Sequence, residues 1–332
     1  RDNTAKPLLN KAVQNSYPPG SIFKMVTAIA GLESGTITTS TRINDTGVYR
    51  KYKDYQPKCW YYSDYGMGHG WLNVSGAIEK SCNYFFYQTA DNMGIDTLVK
   101  YAKYFGLGSK TGIELQSETA GHLASKETKQ ELHPDDPTWY PADALQAAIG
   151  QNDNEFSPLQ MAKYISMLAN GGKDIDVTVV KSIQKSDGTE ASRDEINNFV
   201  NQKLGLQEDT SEDLQINQDN LNAILEGMRS VTGDSTGTAY IRFKDFDIEV
   251  GGKTGSAEAG KDANNRDIVH AWFAGFAPFD DPEIAVVVMV ENGGHGNYTA
   301  EAVRDIMAEY FGMNTQDVQE NLGAVSYTES IQ

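Results

Sequence analysis

The segment Tyr17–Leu32, YPPGSIFKMVTAIAGL, decides the fold. Two prolines and a glycine stop any preceding element and let a helix start sharply at Ser21. From Ser21 to Leu32 the chain is mostly apolar, which predicts a buried helix, with Gly35 ending it.

Outward from that helix, residues 1–20 read as irregular. Residues 36–70 are rich in Tyr, Asp, Lys and Gly and read as a long functional or tied-down loop. Helices are expected at Val74–Lys80 and Tyr84–Met93, followed by the segment Ile95–Phe105, and at Pro158–Ala169. The stretch 118–141 is polar and closes on Pro134, Pro137 and Pro141. Asp174–Gly188 reads as short strands ending in an Asp187-Gly188 turn, and the acidic stretch 189–216 as an exposed linker or insert. A helix at Asn220–Val231 precedes strands at Ile248–Ala257, Ala271–Phe276 and Ile284–Glu291, the last pair joined by an Asp280-Asp281-Pro282 turn. An amphipathic helix, Thr299–Phe311, closes the series, and the tail after Asn314 is polar. Helices, then strands, then a closing helix predict an α+β fold: an antiparallel sheet flanked by helices, with a large helical subdomain.

The chain has 332 residues, 28 Lys plus Arg against 46 Asp plus Glu, and a formal charge of −18. Such a surface repels polyanions, which excludes nucleic acid as a principal partner. No run of about 18 apolar residues offers a membrane span. No signal peptide is visible, and the first residue is Arg1 rather than Met, so the sequence reads as a fragment of a longer chain.

Three short motifs carry chemistry. In Ser21-Ile22-Phe23-Lys24 the spacing puts Lys24 one turn above Ser21. A serine hydroxyl is a weak nucleophile until a base takes its proton, and a lysine can be that base once burial lowers its pKa. In Ser81-Cys82-Asn83 a second hydroxyl can relay a proton, and the Asn amide can hold both the lysine and a substrate carbonyl. In Lys253-Thr254-Gly255-Ser256 a cation and two hydroxyls on a strand can hold a carboxylate. The Ser256 N–H can there join that of Ser21 as an oxyanion hole. Each alone has a plainer reading: a capped helix with a snorkelling lysine, another helix cap, a polar edge strand. Together and in this order, S-x-x-K, S-x-N and K-T-G are the signature of serine β-lactamases and penicillin-binding proteins.

The chain resembles the transpeptidase domain of class B, monofunctional penicillin-binding proteins, of the elongation or sporulation type. Beyond the three motifs, the resemblance rests on Tyr17-Pro18-Pro19-Gly20, Gly68-His69-Gly70, Tyr84-Phe85-Phe86-Tyr87-Gln88, Gly150-Gln151, Ser157–Ala162, Gly237-Thr238-Ala239 and Ala271–Gly275. It covers about residues 5–312. It implies one transpeptidase domain over 1–332, with a helical subdomain at about 25–170, an exposed insert at about 174–216, and sheet and closing helix at about 217–312. The family's membrane anchor, pedestal and first strands are expected to lie outside this sequence. The implied reaction is cross-linking of peptidoglycan stem peptides ending in D-Ala-D-Ala, through an acyl-enzyme on Ser21 that β-lactams also form. The implied catalytic set is Ser21, Lys24, Ser81, Asn83 and Lys253, with Thr254, Gly255 and Ser256 binding substrate. A glycan polymerase is the implied partner, and the outer face of the bacterial membrane the implied location. Asn152 stands where a glycine is common in the family.

Asp45, Cys59, His69 and Cys82 suit a structural zinc site, and no cofactor is needed for the chemistry. Some elongation-type relatives carry a metal in the matching region. A Cys59–Cys82 disulfide, or free thiols with His69 shaping a glycine turn, are the alternatives. His122, His133, His270 and His295 show no ligand spacing. Among rival functions, a β-lactamase needs a base for water, with Glu114 and Glu118 as candidates. A β-lactam sensor or a carboxypeptidase would share the acylation machinery.

Overall fold

The structure is a computed structural model that describes residue 6 and residues 8–205, 215–262 and 264–313. In chain order, α1 (Lys11–Gln14) and a 3-10 turn (Gly20–Phe23) lead into α2 (Lys24–Glu33). Then follow β1 (Ile43–Asp45), α3 (Trp60–Tyr65), β2 (Gly70–Leu72), α4 (Val74–Glu79), α5 (Asn83–Met93) and α6 (Ile95–Tyr104). The middle holds α7 (Lys126–Leu132), α8 (Pro141–Ala147), α9 (Pro158–Ala169) and α10 (Arg193–Leu204). After α11 (Gln218–Gly233) and α12 (Tyr240–Phe243) come β3 (Gly251–Lys261), β4 (Asp267–Ala277), β5 (Ile284–Val290) and α13 (Asn297–Tyr310). The α+β expectation holds: β3, β4 and β5 form an antiparallel sheet in that order, with helices around it.

Helix α2 is the axis of the core. Every residue from Lys24 to Leu32 is buried, as its apolar sequence requires, and α4, α5, α6 and α11 pack around it. Helix α9 matches its predicted bounds because its start is locally coded. Ser157 accepts from the Gln160 N–H, the Gln160 side chain accepts from the Ser157 N–H, and Pro158 occupies the first turn. β4 is buried along most of its length and carries Trp272, Phe273 and Phe276 into the core.

Several expectations need correction. The Ser21 segment is not the first turn of an α-helix: it is a 3-10 turn, and α2 begins at Lys24. Residues i and i+3 eclipse in a 3-10 turn, so Ser21 and Lys24 still share a face. No strand forms over 174–188 beyond one isolated Gln184–Glu190 bridge. There the Val179 N–H donates to Glu114 at 2.9 Å and Arg193 donates to the Val180 carbonyl at 3.0 Å, so side chains replace a strand partner. The stretch 189–216 contains α10, opened by a Ser192–Glu195 capping box. Residues 206–214 and the tail after Asn314 lie outside the described residues. The 36–70 loop contains β1 and α3, and α7 sits in the polar 118–141 stretch. Asn152 takes φ 62°, the left-handed conformation a glycine would supply and asparagine tolerates. No helix among the described residues is long and apolar enough to cross a membrane.

Ser157→Ala removes the α9 cap acceptor from a fully buried position. It should lower the unfolding free energy by about 1 kcal/mol in urea denaturation, without changing the folded circular-dichroism spectrum.

Candidate active site

The three motifs converge. Lys24 is fully buried, yet its Nζ lies 2.7 Å from the Ser81 carbonyl oxygen, 3.1 Å from Ser81 Oγ and 2.6 Å from Asn83 Oδ1. Desolvation lowers its pKa to about 8, although the neighbouring Cys59 and Cys82 charges oppose the fall. A neutral fraction is therefore accessible near physiological pH. Ser81 has φ 52°, an uncommon conformation for a residue with a side chain, and is buried. It presents both its carbonyl and its hydroxyl to Lys24.

Ser21 sits half-exposed at the cleft floor, and its backbone is clamped from both sides. The Gly20 N–H donates to the Gly150 carbonyl at 2.9 Å. Gly20 has φ +55°, and a Cβ there would stand 2.6 Å from the Ser256 carbonyl oxygen. The third motif is thus in backbone contact with the nucleophile's turn, which only glycine permits. Upstream, Tyr17 and Phe156 exchange backbone hydrogen bonds of 3.0 and 2.9 Å. Trp272 Nε1 donates to the Pro18 carbonyl at 2.9 Å.

On β3 the register pairs Lys253 with Ala274, Thr254 with Phe273, Gly255 with Trp272 and Ser256 with Ala271. β4 occupies one edge of β3, and the 3-10 turn that carries Ser21 packs against the strand. Lys253 is fully buried and donates to the Thr254 carbonyl at 3.1 Å. Burial first, and the charge of Lys24 second, hold its pKa well below the ordinary lysine value. A carboxylate arriving beside it would restore the charged form.

Sequence reasoning gave no role to several residues that line this region. Thr238, quoted above only within a family segment, has its Oγ1 2.8 Å from that of Thr254. Tyr55 accepts a hydrogen bond from Gln146. The Gln151 amide pairs with the backbone of Glu258, donating to its carbonyl at 3.3 Å and accepting from its N–H at 3.1 Å. Single polar residues in loops leave no spacing signal, so only the fold reveals them. Glu118 is committed elsewhere, accepting from Thr111 and Gly112. Glu114 accepts from Thr178 and Val179. Both carboxylates are thus held by loop contacts outside the three motifs.

Asp45, Cys59, His69 and Cys82 also come together, with one ligand atom from each inside a 4.8 Å span. The sulfurs are 3.9 Å apart and both thiols are free, so the disulfide alternative is not the bonding seen. His69 Nδ1 is 2.7 Å from Asp45 Oδ2 and 3.5 Å from Cys59 Sγ, and Cys82 Sγ is 3.3 Å from Asp45 Oδ2. A tetrahedral zinc with bonds of about 2.0–2.3 Å needs ligand separations of about 3.3–3.8 Å, so the Asp45–His69 pair at 2.7 Å would have to open and the widest pairs, within 4.8 Å, to close. Asp45 is drawn down to about 2: burial opposes this, but hydrogen bonds from His69, Gly47 and Cys82 outweigh it. The contact with Cys82, and after it that with His69, lowers the Cys59 thiol to about 5 against the effect of burial. The Gly68-His69-Gly70 turn is explained by closeness, since a Cβ on Gly68 would stand 2.0 Å from the Asp45 carbonyl oxygen.

The chain is similar to known proteins along most of its length. Residues 1–308 match the family model for the penicillin binding protein transpeptidase domain. The peptidoglycan D,D-transpeptidase MrdA of Haemophilus influenzae is 31% identical, over 93% of this chain and 46% of its own length. MrdA of Escherichia coli K12 is also 31% identical, over 97% and 50%. The chain spans about half the length of these curated relatives. Among solved structures, Pseudomonas aeruginosa PBP2 in complex with WCK 5153 superimposes with a TM-score of 0.80 at 31% identity, over 95% of this chain and 66% of that one. Helicobacter pylori PBP2 in complex with MreC gives 0.75 at 27%, over 94% and 53%. With the motifs, their geometry and these matches in agreement, the chain belongs to the penicillin-binding protein transpeptidase family.

Proposed function

We propose that this chain is the catalytic domain of an elongation-type peptidoglycan D,D-transpeptidase, with Ser21 as nucleophile. The observation that carries the reading is the buried Lys24 amine bonded to Ser81 and Asn83 on the face it shares with Ser21. Neutral Lys24 accepts the Ser21 proton as Oγ attacks the carbonyl carbon of the penultimate D-Ala. The backbone N–H groups of Ser21 and Ser256 hold the oxyanion. The proton returns through the Ser81 hydroxyl to the leaving nitrogen, and terminal D-Ala departs with its amine neutral. An acceptor amine then attacks the ester carbonyl carbon, the bond to Ser21 Oγ breaks, and the amine's proton passes by way of Ser81 and Lys24 back to Ser21 Oγ. The hydroxyls of Thr254 and Ser256, beside Gly255 and the charge of Lys253, hold the terminal carboxylate, and Asn83 aligns the peptide carbonyl.

The same reading makes β-lactams acylating inhibitors and a glycan polymerase the working partner on the outer face of the bacterial membrane. Relatives described as a PBP2–MreC complex and as a complex coordinating polymerization with crosslinking support a partnered enzyme. We place the helical subdomain at about 25–170 and the sheet with its closing helix at about 217–312. Asp45, Cys59, His69 and Cys82 are proposed to hold zinc with no open position. When bound, the ion neutralises the thiolates and ties the 45–70 loop to the start of α5.

Incubation with a labelled penicillin should give one adduct by intact mass, mapping to Ser21, and Ser21→Ala should abolish it. Lys24→Ala should slow acylation by about 10²–10⁴-fold. Because neutral Lys24 is the competent form, and its pKa is about 8, the second-order acylation constant should climb from pH 6 through 8 and level off above about pH 9. A flat profile across that window would count against Lys24 as the base. Metal analysis after mild dialysis should find about one zinc per chain, and Cys82→Ser should lose it with a fall in melting temperature. A stoichiometry near zero, with a Cys59–Cys82 bridge by mass spectrometry, would end the zinc reading.

A further inference from the structure

The structure assigns Thr238 as a positioning residue that aims the Thr254 hydroxyl at the substrate's terminal carboxylate; this rests on the transpeptidase reading and extends it to a residue outside the three motifs. The two threonine hydroxyl oxygens are 2.8 Å apart, close enough that one must donate to the other. Each hydroxyl has one proton. A carboxylate is acceptor-only when ionised, so Thr254 can bind it only by giving that proton away. Thr254 must then accept from Thr238. Carboxylate binding fixes the direction of the pair: Thr238 O–H to Thr254 Oγ1, and Thr254 O–H to the ligand. A hydroxyl that accepts one hydrogen bond while donating another is polarised in the useful sense. Without Thr238, the Thr254 hydroxyl loses the donor that holds its oxygen.

Thr238 is held for this task. It lies between α11 and α12, where the Gly237 N–H donates to the Asp234 carbonyl at 2.7 Å and the Ala239 N–H to the Val231 carbonyl at 2.9 Å. Two residues earlier, Thr236 accepts from Lys80 Nζ at 3.0 Å and donates to Glu79. Lys80 and Glu79 immediately precede Ser81. The loop therefore bridges the second motif and the third, and it fixes Thr238 relative to both. Thr254 is itself 9% exposed, with its register to Phe273 set by the sheet, so neither partner of the pair is a wandering surface side chain.

The test is the kinetics of Ser21 acylation by benzylpenicillin and by its methyl ester, which lacks the ionised carboxylate. In Thr238→Val the initial dissociation constant for the acid should rise about threefold to tenfold, the worth of the neutral hydrogen bond lost to Thr254, while the acylation step stays within about twofold. The ester should show less than about twofold change in either constant. Thr238→Ser should restore the wild-type values. Thr238→Ala should behave as Thr238→Val, which guards against a packing fault specific to valine. On a Thr254→Val background, Thr238→Val should add nothing. Equal losses for acid and ester, additive losses in the double variant, or wild-type constants in both Thr238→Val and Thr238→Ala overturn the assignment and leave the transpeptidase reading standing. A wild-type chain that forms no Ser21 adduct overturns both.

Discussion

The structure depends on a buried ammonium and the three oxygens that meet it. Lys24 sits at the start of α2, buried from Lys24 to Leu32, and Ser81 and Asn83 sit at the start of another helix, α5. Burying an unpaired lysine charge costs several kcal/mol, so the fold is stable only when those oxygens are in place. That requirement is mutual. Ser81 keeps a left-handed backbone whose strain is of the order of 1–3 kcal/mol, and the contact with Lys24 helps offset it. The same contact leaves Lys24 with a lowered pKa, because three neutral acceptors do not fully replace water. Stability and basicity are thus two consequences of one placement.

A second constraint is steric. The nucleophile's turn is threaded between the Gly150 loop and β3, and Gly20 is the only residue type that fits between them. Trp272, on the neighbouring strand, reaches across to the Pro18 carbonyl. The sheet therefore does more than display the third motif. It sets the position of the serine, so the oxyanion donors and the attacking oxygen move as a unit.

How much of this was legible in the sequence follows from what each element needs. The three motifs were legible because the chemistry restricts residue type at fixed spacing. Helix α9 was legible because Ser157, Pro158 and Gln160 write its start into three neighbouring side chains. The strand reading of 174–188 failed because alternating Ile175, Val177 and Val179 imitate a strand, while Glu114 and Arg193 satisfy the backbone instead. Helix α10 was hidden in an acidic stretch whose only signal was the Ser192–Glu195 box. Helix α3 and strands β1 and β2 are too short to show a period. Their positions come from Asp45, Cys59 and His69 meeting in space, a tertiary fact that no local pattern records. Thr238 was invisible for the same reason, since its partner lies sixteen residues away on another element.

The cluster around Asp45 bears on the active site through a single residue. Cys82 lies between Ser81 and Asn83, the two residues that hold Lys24. Its sulfur accepts from the Phe85 N–H at 3.4 Å and so caps α5. It also meets Asp45 and Cys59. A thiol would be a weak cap, whereas a thiolate is a strong acceptor. Whatever fixes the charge on that sulfur therefore fixes the first turn of α5, and with it the Ser81 carbonyl and the Asn83 amide on either side. A shift of the Cys82 backbone by a few tenths of an ångström would lengthen bonds of 2.7 and 2.6 Å to a buried cation. The long 36–70 loop, far from the nucleophile in sequence, is in this way mechanically coupled to the base.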